Sequence, residues 1–560
     1  MTDPLYKALL LVAASASVPL YTSSAEDAKP ANGSAVQRRE FTIEKQYLNL
    51  PVKRRAPAHR MRITFPDGKR LEFNICTPGA NDRPSFWAPV EVAAFKGRKI
   101  TVEAVDKLPE NFRMLERIEQ SDTLQDAGSL YQEKLRPQFH YSVRRGWSND
   151  PNGLVYFKGE YHLYYQYHPY SLEGGGTHWG HAVSKDLVHW QELPPAIVPL
   201  SPDDIAFSGS CIVDFDNLSG FKTGEEPPIV AAWFSTRRGA CIAYSNDRGR
   251  TFTEYKENPV VPFVGDPKLI WYAPGKHWVM AVNWKGIAFC TSPDLKKWEQ
   301  LPNPIEGFFE CPEIFEICAD GNPAKKKWIL YSGDGAYAVG GFDGKQFTPD
   351  GGKHPYNFGN AYYASQTFNN IPEQDGRRIQ IAWGRIDMPD MPFEQCMLFP
   401  VELTLHMTED GLRLFAMPAG EIEKLHGKEW DIAVQPLSEA KNPLEKVSAQ
   451  LADIALEIEP KTASEITLSV RGLPIVCDVR KKELRCMDKV AALPLDKGKL
   501  RLRVLVDRQS VEIYANDGRI YMPMNGRLDL DKRDFAVSAK GGDATLLSAK
   551  AFELNSIWKK

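Results

Sequence analysis

The sequence predicts an all-β protein: a five-bladed β-propeller, a C-terminal β-sandwich after it and a small N-terminal β domain before it. Three observations support this prediction. The chain has 13 Trp, 21 Tyr and 27 Phe, it has 41 Gly and 41 Pro, and its short apolar runs alternate with turn-forming residues. Aromatic residues favour strands, while glycine and proline favour the turns between strands. A chain of 560 residues is long enough for about three or four domains.

A loose internal repeat predicts the propeller over residues 136–418. Four segments share an extended apolar run, a turn that contains Asp, and an aromatic residue that begins the next strand. The turns contain Asp186, Asp247, Asp294 and Asp343. Repeats of roughly 40–50 residues are typical of four-stranded propeller blades. We interpret these Asp residues as structural, because an Asp side chain can cap a hairpin turn by accepting hydrogen bonds from backbone N–H groups.

The segments on either side of the repeat predict two smaller β domains. Residues 41–135 contain short extended runs separated by turns such as Asp67-Gly68, which favours a small antiparallel module. Residues 419–560 contain runs that alternate in polarity with period two, which predicts the sandwich. Residues 26–40 are polar and rich in turn formers, so we interpret them as a linker.

Residues 1–25 resemble a secretory signal peptide. An apolar run from Ala8 to Leu20 follows Lys7, and small residues then precede Glu26. We therefore expect export to the periplasm or the extracellular space. No stretch of the sequence approaches the roughly 20 consecutive apolar residues of a membrane-spanning helix.

Charge and cysteine usage exclude several classes of protein. The formal net charge is −3, which provides no general attraction for nucleic acid. The nine cysteines show neither a CxxC pair nor metal-ligand spacing, so the sequence predicts no metal and no other cofactor. Numerous aromatic faces suit a carbohydrate partner. Nothing in the sequence defines the oligomeric state.

Three acidic segments within the repeat region carry the candidate chemistry. They are Trp147–Gly153, Gly265–Pro267 and Glu310–Pro312, and each places a carboxylate close to a proline. A propeller gathers the inner strands of its blades around a channel, so Asp150, Asp266 and Glu310 can converge. Two carboxylates with separated pKa values are the minimum that hydrolysis of a glycosidic bond requires. Spacing alone leaves this interpretation open, since Asp-Pro is also a common turn sequence.

These segments are also the basis of a resemblance. WSNDPNG is followed by LYYQYHP, HWGHAVSKDLVHW, FSGS, GDPK and FECPEIFEI, and this order is similar to that of glycoside hydrolase family 32. The family contains invertases, inulinases, levanases and other β-fructosidases. LVDRQSVE at 505–512 resembles its appended sandwich domain, and the N-terminal module resembles the extra β domain of some bacterial levanase-type members. The resemblance implies a five-bladed propeller and retaining hydrolysis of β-linked fructosyl units of levan, inulin or sucrose.

The resemblance also implies roles for individual residues. Asp150 would be the nucleophile, Glu310 the acid/base and Asp266 the stabiliser of the transition state, without a metal. Residues at positions that match sugar-contacting residues of the family are Asn149, Gln166, Trp179, Phe207, Ser208 and Trp383. For Trp179, Phe207 and Trp383, packing between blades is an alternative interpretation.

The sequence departs from the family pattern at four places. Gly265 stands where arginine usually precedes the middle Asp, and Gly174–Gly176 occupies the neighbourhood of a usual tryptophan. His168 stands at a usual asparagine, and Asn357 stands near a usual aspartate. Either another residue replaces the arginine, or the bound sugar differs from terminal fructose, or activity is weakened.

Two alternative functions therefore stay open. One is a five-bladed hydrolase of another glycan, of the arabinan or xylan type, and the other is a catalytically weakened carbohydrate-binding protein. WSNDPNG together with ECP favours the fructosidase. A sialidase would need an arginine cluster, for which Arg237-Arg238 is the one inner candidate. The sequence does not distinguish β-2,1 from β-2,6 linkages, exo from endo action, or hydrolysis from transfer.

Overall fold

The computed structural model describes residues 37–106, 108, 112–199 and 201–558. The predicted signal peptide, residues 1–25, lies outside these described residues, as does most of the predicted linker. Within them, every helix is a short 3-10 segment, and none could cross a membrane. The segments are Ala93–Phe95, Met114–Arg117, Ala127–Ser129, Ala273–Gly275 and Gly420–Leu425. The prediction of an all-β fold with a five-bladed propeller, a sandwich and a small N-terminal β domain is confirmed, as the following sheets illustrate. The domain boundaries stay predictions.

The N-terminal domain consists of two small sheets that share one hydrophobic core. Its strands are β1 (Arg38–Thr42), β2 (Tyr47–Val52), β3 (Ala58–Thr64), β4 (Arg70–Cys76), β5 (Phe86–Glu91), β6 (Lys99–Ala104) and β7 (Glu119–Ser121). The sheets have the orders β1-β6-β3-β4 and β5-β2-β7. Strand β1 begins inside the segment predicted as a linker, because its first three side chains are exposed on an edge strand and their polar character hides the strand in the sequence.

Five sheets follow in residues 146–418 of the described chain, and we call them blades I to V. Blade I contains β8 (Gly146–Phe157), β9 (Glu160–His168), β10 (His178–Ser184) and β11 (Trp190–Ile197). Blade II contains β12 (Ala206–Val213), β13 (Ile229–Ser235), β14 (Gly239–Ser245), β15 (Thr253–Glu254) and β16 (Val261–Pro262). Blade III contains β17 (Gly265–Tyr272), β18 (His277–Asn283), β19 (Ile287–Ser292) and β20 (Glu299–Gln300).

The last two blades complete the ring. Blade IV contains β21 (Glu313–Cys318), β22 (Lys326–Tyr331), β23 (Tyr337–Phe342) and β24 (Phe347–Pro349). Blade V contains β25 (Tyr362–Thr367), β26 (Arg378–Gly384), β28 (Cys396–Met397), β29 (Val401–Thr408) and β30 (Gly411–Pro418). A further short strand, β27 (Phe393–Glu394), lies between β26 and β28 in the chain. Strand β27 pairs in parallel with β8 of blade I, so the end of the ring is hydrogen-bonded to its beginning. The first strand of blade I contacts the first strands of blades II and V, which brings the inner strands together around the centre.

The Asp residues of the repeat cap hairpin turns, as predicted. The Asp186 carboxylate accepts hydrogen bonds from the backbone N–H groups of Val188 and His189 at 3.2 and 2.9 Å. Equivalent pairs of backbone donors reach Asp247, Asp294 and Asp343. These hydrogen bonds stabilise the ionised form and hold the pKa of each of the four carboxyls below its ordinary value, and at Asp247 the hydroxyls of Thr251 and Ser245 contribute more than the backbone donors. The four residues are therefore engaged in turns and are not candidates for catalysis.

The C-terminal sandwich contains two sheets within residues 426–554 of the described chain. Its strands are β31 (His426–Ile432), β32 (Gln435–Leu437), β33 (Ala452–Glu459), β34 (Glu465–Val470), β35 (Leu473–Asp478), β36 (Glu483–Cys486), β37 (Lys489–Ala492), β38 (Leu500–Val506), β39 (Ser510–Ala515), β40 (Ile520–Asn525), β41 (Phe535–Lys540) and β42 (Ala544–Leu554). One sheet has the order β31-β42-β33-β38-β39-β40, with β32 beside β42, and the other has the order β37-β36-β35-β34-β41. A large apolar core fills the space between the two sheets.

A buried polar cluster joins the propeller to the sandwich. The two ring nitrogens of His140 lie 2.8 Å from Asp507 Oδ2 and 2.6 Å from Glu512 Oε1. Burial disfavours a charged imidazole, but the hydrogen bonds and charges of the two carboxylates outweigh it and raise the pKa of His140 to about 9. Asp507 also accepts from the backbone of Gln138, and Glu512 from that of Phe399. The imidazolium thus connects two carboxylates of the sandwich to the start of the propeller.

We expect stability to fall between pH 6.5 and pH 9. The folded-state pKa of His140 is raised, so its contribution is complete below the unfolded pKa and is lost as the pH rises through about 9. The free energy of unfolding should fall by about 3 kcal/mol over this range. Urea unfolding at each pH measures this change, and His140→Asn should flatten the profile. An equal pH dependence in both proteins would contradict the assignment.

Candidate active site

The inner strands of the blades carry β-bulges at the positions of the predicted site residues. The register of β8 against β9 shifts between Ser148 and Pro151, the interval that contains Asn149 and Asp150. A shift between Ala206 and Gly209 in β12 contains Phe207 and Ser208, and one between Gly265 and Lys268 in β17 contains Asp266. A bulge leaves a residue unpaired and redirects its side chain. The bulges therefore release polar side chains from the pleated sheets at the centre of the ring.

Asp150 lies in a dense hydrogen-bond network and is only 8% exposed. The Ser208 hydroxyl donates to Asp150 Oδ2 at 2.6 Å, and the Gln166 amide donates to the same oxygen at 3.1 Å. The Asn149 amide donates to Asp150 Oδ1 at 3.1 Å and to Gln166 Oε1 at 2.6 Å. Asn149, Gln166 and Ser208 are all predicted site residues, and the structure brings them together around the carboxylate.

Cys311 connects the three predicted acids. Its backbone N–H donates to Asp266 Oδ2 at 3.0 Å, and its thiol donates to Asp150 Oδ2 at 3.5 Å. Glu310 is the adjacent residue, so one short segment of blade IV meets carboxylates from blades I and III. Burial, reinforced by the charges of Asp150 and Asp266, raises the pKa of the Cys311 thiol well above its ordinary value, so it stays a donor. The convergence predicted from the propeller architecture is present.

Glu310 and Asp266 have unusual backbone conformations. Their φ angles are 52° and 49°, and that of Cys311 is 43°. Left-handed backbone is uncommon for residues other than glycine, and it concentrates at functional sites where the surrounding structure enforces it. The Tyr363 hydroxyl donates to Glu310 Oε2 at 2.7 Å. Sequence reasoning missed Tyr363, because no motif marks it and it comes from blade V.

Crowding of the acids changes their protonation. Burial and, to a smaller extent, the charge of Glu310 raise the pKa of Asp150, although its hydrogen bonds act in the opposite direction. For Asp266, burial and the charges of Glu310 and Asp150 raise the pKa to about 7, against the opposing effect of the Cys311 N–H. No cation pairs with Asp266 among the described residues. The site therefore holds a carboxyl that titrates near neutral pH.

Two of the predicted aromatic residues lie close to the acids. Trp383 is half-buried, and its ring centroid is 6.2 Å from those of both Trp147 and Tyr363. Trp147 in turn donates from its indole N–H to Asn149 Oδ1 at 2.9 Å. Phe207 is half-buried beside Phe234, with ring centroids 6.0 Å apart. Half-buried aromatic rings close to carboxylates can provide apolar faces for a sugar.

The prediction that Trp179 contacts the sugar is not supported. Its side chain is fully buried in an apolar cluster between blades I and II, with neighbours that include Val155 and Cys211. Its indole N–H donates to the Phe207 carbonyl at 2.8 Å. Trp179 therefore presents no face to a ligand, and the alternative of packing between blades applies. It supports the strand that carries Phe207.

Comparison with known proteins agrees with this geometry. Residues 140–418 match the description "Glycosyl hydrolases family 32 N-terminal domain", and residues 475–553 match "Glycosyl hydrolases family 32 C terminal". The chain is 36% identical over 489 residues to a levanase of Bacillus subtilis, covering 77% of this chain and 72% of the levanase. The chain belongs to glycoside hydrolase family 32.

Two further relatives extend the comparison. An extracellular exo-inulinase of Aspergillus ficuum is 28% identical over 479 residues, covering 69% of this chain and 88% of the inulinase. The structure of a β-fructofuranosidase from Schwanniomyces occidentalis complexed with fructosyl-erythritol superposes with a TM-score of 0.69 at 27% identity. The superposition covers 77% of this chain and 100% of the β-fructofuranosidase chain. As a member of family 32, this chain is a glycoside hydrolase.

The glycine that replaces the usual family 32 arginine is buried beside Phe234 and Asn283. A Cβ atom on Gly265 would have its nearest neighbours at 3.6 and 3.7 Å, in Phe234 and Asn283. These are ordinary van der Waals contacts, so a Cβ atom at this position meets no clash. The structure thus lacks the positive charge of the usual arginine beside Asp266, whose pKa is raised first by burial and then by the charges of Glu310 and Asp150.

The other departures from the family 32 pattern lie in a loop at the edge of the site and in a separate turn. Gly174 lies against Trp147, and a Cβ on Gly176 would come within 2.9 Å of His168 Nε2. The glycine loop and His168 are therefore packed together at the edge of the site. Asn357 caps a local turn by accepting from the Gly359 N–H at 2.8 Å. Arg238 pairs with Asp204, so the arginine pair is not free to bind an acidic sugar.

A buried ion pair lies behind two of the acids. Lys268 Nζ is 2.7 Å from Glu313 Oε1, with the side chains 2% and 0% exposed. Lys268 is two residues after Asp266, and Glu313 is three residues after Glu310. Glu313 also accepts from the Thr367 N–H and hydroxyl at 3.2 and 3.0 Å, which connects blade V. The pair thus fixes the relative positions of three inner strands.

We expect Lys268→Met to destabilise the protein by about 3–5 kcal/mol, because it leaves Glu313 as an unpaired buried charge. The double variant Lys268→Met/Glu313→Gln should recover much of this loss, since glutamine removes the charge and keeps an acceptor for Thr367. Denaturant unfolding measures both. Equal destabilisation in the single and double variants would show that the ion pair is not the cause.

Proposed function

We propose that this chain hydrolyses β-linked fructosyl units of fructans or sucrose with retention of configuration. The observation that carries the proposal is the meeting of Asp150, Asp266 and Glu310 around Cys311. The similar levanase and exo-inulinase, and the similar structure with fructosyl-erythritol, support a fructosyl substrate. A bound fructosyl unit would enter among the carboxylates.

The proposed reaction has two displacements. In the first, an Asp150 oxygen attacks the anomeric carbon, the glycosidic C–O bond breaks, and the Glu310 carboxyl transfers its proton to the leaving oxygen. In the second, Glu310 takes a proton from water, the water oxygen attacks the same carbon, and the bond to Asp150 breaks. The donors around Asp150 hold its carboxylate in one orientation, so attack needs little reorganisation.

Asp266 would stabilise the positive charge that develops on the sugar ring. Ionised Asp266 is the useful form for this role, because a neutral carboxyl gives little electrostatic stabilisation. Its pKa of about 7 implies that the ionised form accumulates as the pH rises through neutrality. Asn149, Gln166, Ser208, Phe207 and Trp383 would bind the sugar hydroxyls and ring faces.

We also propose that the protein is exported and that residues 1–25 direct the export. The apolar run before Glu26 supports this proposal. The similarity to an exo-inulinase named as extracellular also supports it. N-terminal sequencing of the mature protein from its native host tests the proposal, since a start after residue 25 is expected.

We expect Asp150→Asn and Glu310→Gln each to lower kcat on sucrose, inulin and levan, Asp150→Asn by at least about 10³-fold. Both changes keep the size of the side chain and remove the reacting carboxylate. Release of free fructose measures the activity. Asp343→Asn is the matched control, because Asp343 caps an exposed turn. Normal turnover by Asp150→Asn would exclude the proposed nucleophile.

We expect Gly265→Arg to shift the acid limb of the kcat/KM profile to lower pH by about one unit. In the native chain this limb should lie near pH 7, where Asp266 loses its proton. An arginine beside Asp266 stabilises its ionised form, so activity should persist at lower pH. Gly265→Met adds comparable bulk without charge and should leave the limb in place. Equal shifts in the two variants would contradict the electrostatic explanation.

A further inference from the structure

The N-terminal domain lies on the same face of the propeller as the acids. The first strand of each blade begins on this face, and successive strands of a blade are antiparallel. The loop between the second and third strands of a blade therefore lies on this face. The loops that connect one blade to the next lie on it as well. The domain contacts three such loops. Arg54 pairs with Glu394 at 2.6 Å, Arg60 pairs with Asp203 at 2.9 Å, and the Cys76 N–H donates to the Tyr170 carbonyl at 3.2 Å.

A cavity of about 500 Å³ lies where this domain meets the loop between β26 and β28. Its wall includes the charged residues Lys53, Arg55, Arg83, Asp126 and Asp390 and the aromatic residue Trp87. Cavities of roughly 300–1,000 Å³ are typical of sites for small ligands. The cavity is therefore large enough for several atoms of a sugar chain and not only for water.

The charged groups of the cavity wall are largely unengaged. Arg54, which also lines the cavity, is committed to Glu394 and to the Met391 carbonyl. By contrast, Arg55 and Arg83 form no side-chain hydrogen bond or ion pair within the described part of the chain, and the same holds for the carboxylates of Asp126 and Asp390. These four residues are exposed, so their donors and acceptors line one space without pairing with each other and are accessible to a ligand.

Trp87 adds an apolar surface to these polar groups. It lies in β5, it is half-buried, and its indole N–H has no hydrogen-bond partner among the residues described here. A flat ring beside both donors and acceptors suits a neutral ligand that carries many hydroxyl groups. The wall places the carboxylates of Asp126 and Asp390 beside the cations of Arg55 and Arg83, so it offers both acceptors and donors to the hydroxyl groups of an uncharged sugar.

One loop connects the cavity to the candidate active site. The connection after β26 contains Asp390 of the cavity wall, and it continues to Gln395, which accepts from the Trp383 indole at 3.3 Å. Glu394, between them, is held by Arg54 and lies opposite Trp147 in the parallel pair of β27 and β8. A chain that extends from the acids along this face would reach the N-terminal domain.

We propose that this cavity is a second carbohydrate-binding site, which holds a segment of a fructan chain away from the bond that is cleaved. The ligand class rests on the proposed function, whereas the existence of the site does not. The N-terminal domain would then increase the residence of polymeric substrates at the active-site face and would have no part in the chemical steps.

Native gels that contain inulin or levan test the proposal with the full chain. In an Asp150→Asn background, which prevents turnover, Trp87→Ala should weaken retardation by the polymer about fivefold. Arg55→Ala/Arg83→Ala should act in the same direction. Lys69→Ala/Lys99→Ala removes two exposed cations of the same domain and should have no effect. Mobilities are taken relative to gels without polymer, which corrects for the changed charge.

Sucrose hydrolysis by the same substitutions in the native background separates the two proposals. We expect turnover of this short substrate to stay within about twofold of native, because the cavity is apart from the acids. Unchanged retardation with Arg55→Ala/Arg83→Ala overturns the proposal of a second site. If Trp87→Ala lowers the Tm, its weaker retardation could come from misfolding, and the test then depends on Arg55→Ala/Arg83→Ala alone. Retardation that depends on Trp87, without hydrolysis of any fructoside by the native chain, would support the site and refute the proposed function.

Discussion

Burial of three carboxylates close to one another is the constraint on which the arrangement of the site depends. Asp150, Asp266 and Glu310 come from three blades and are brought together in a partly buried space, where their negative charges oppose one another. The surrounding donors offset part of this repulsion: Ser208, Gln166 and Asn149 at Asp150, Cys311 at Asp266, and Tyr363 at Glu310. Burial, with a smaller contribution from the remaining repulsion, raises the pKa values of Asp150 and Asp266.

The same crowding of carboxylates limits the pH range of the proposed chemistry. Glycoside hydrolysis by two displacements needs one ionised carboxylate and one proton in the same small space. In the proposed reaction Glu310 carries this proton, while Asp266 acts in its ionised form, which accumulates as the pH rises through about 7. Gly265 provides no positive charge that would lower the pKa of Asp266.

The remaining structure holds the acids against this repulsion. Lys268 and Glu313 connect blades III and IV directly behind Asp266 and Glu310, and Thr367 adds blade V. Pairing of β27 with β8 closes the ring next to Trp147. On the outside, His140 with Asp507 and Glu512 fixes the sandwich, and Arg54 with Glu394 fixes the N-terminal domain. Ion pairs at blade and domain contacts thus determine the geometry of the centre.

Local chemistry explains which features could be predicted from the sequence. The Asp turns and the acidic segments depend on neighbouring residues, so their motifs were sufficient to find them. Contacts between distant segments left no such signal: Tyr363 meets Glu310 from another blade, and the fully buried Trp179 could not be distinguished from an exposed tryptophan. Strand β1 was hidden by its exposed charged residues, and the cavity beside Trp87 exists only after two domains meet.

Detection of a covalent intermediate on Asp150 would test the central claim most directly. Turnover of sucrose is stopped by acid within milliseconds to seconds, and the chain is digested and analysed by mass spectrometry. The account predicts that the peptide containing Asp150 gains the mass of one fructosyl residue, and that this adduct accumulates in Glu310→Gln with a substrate whose leaving group needs no protonation. An adduct on a different carboxylate, or fructose release with inverted configuration, would contradict the account.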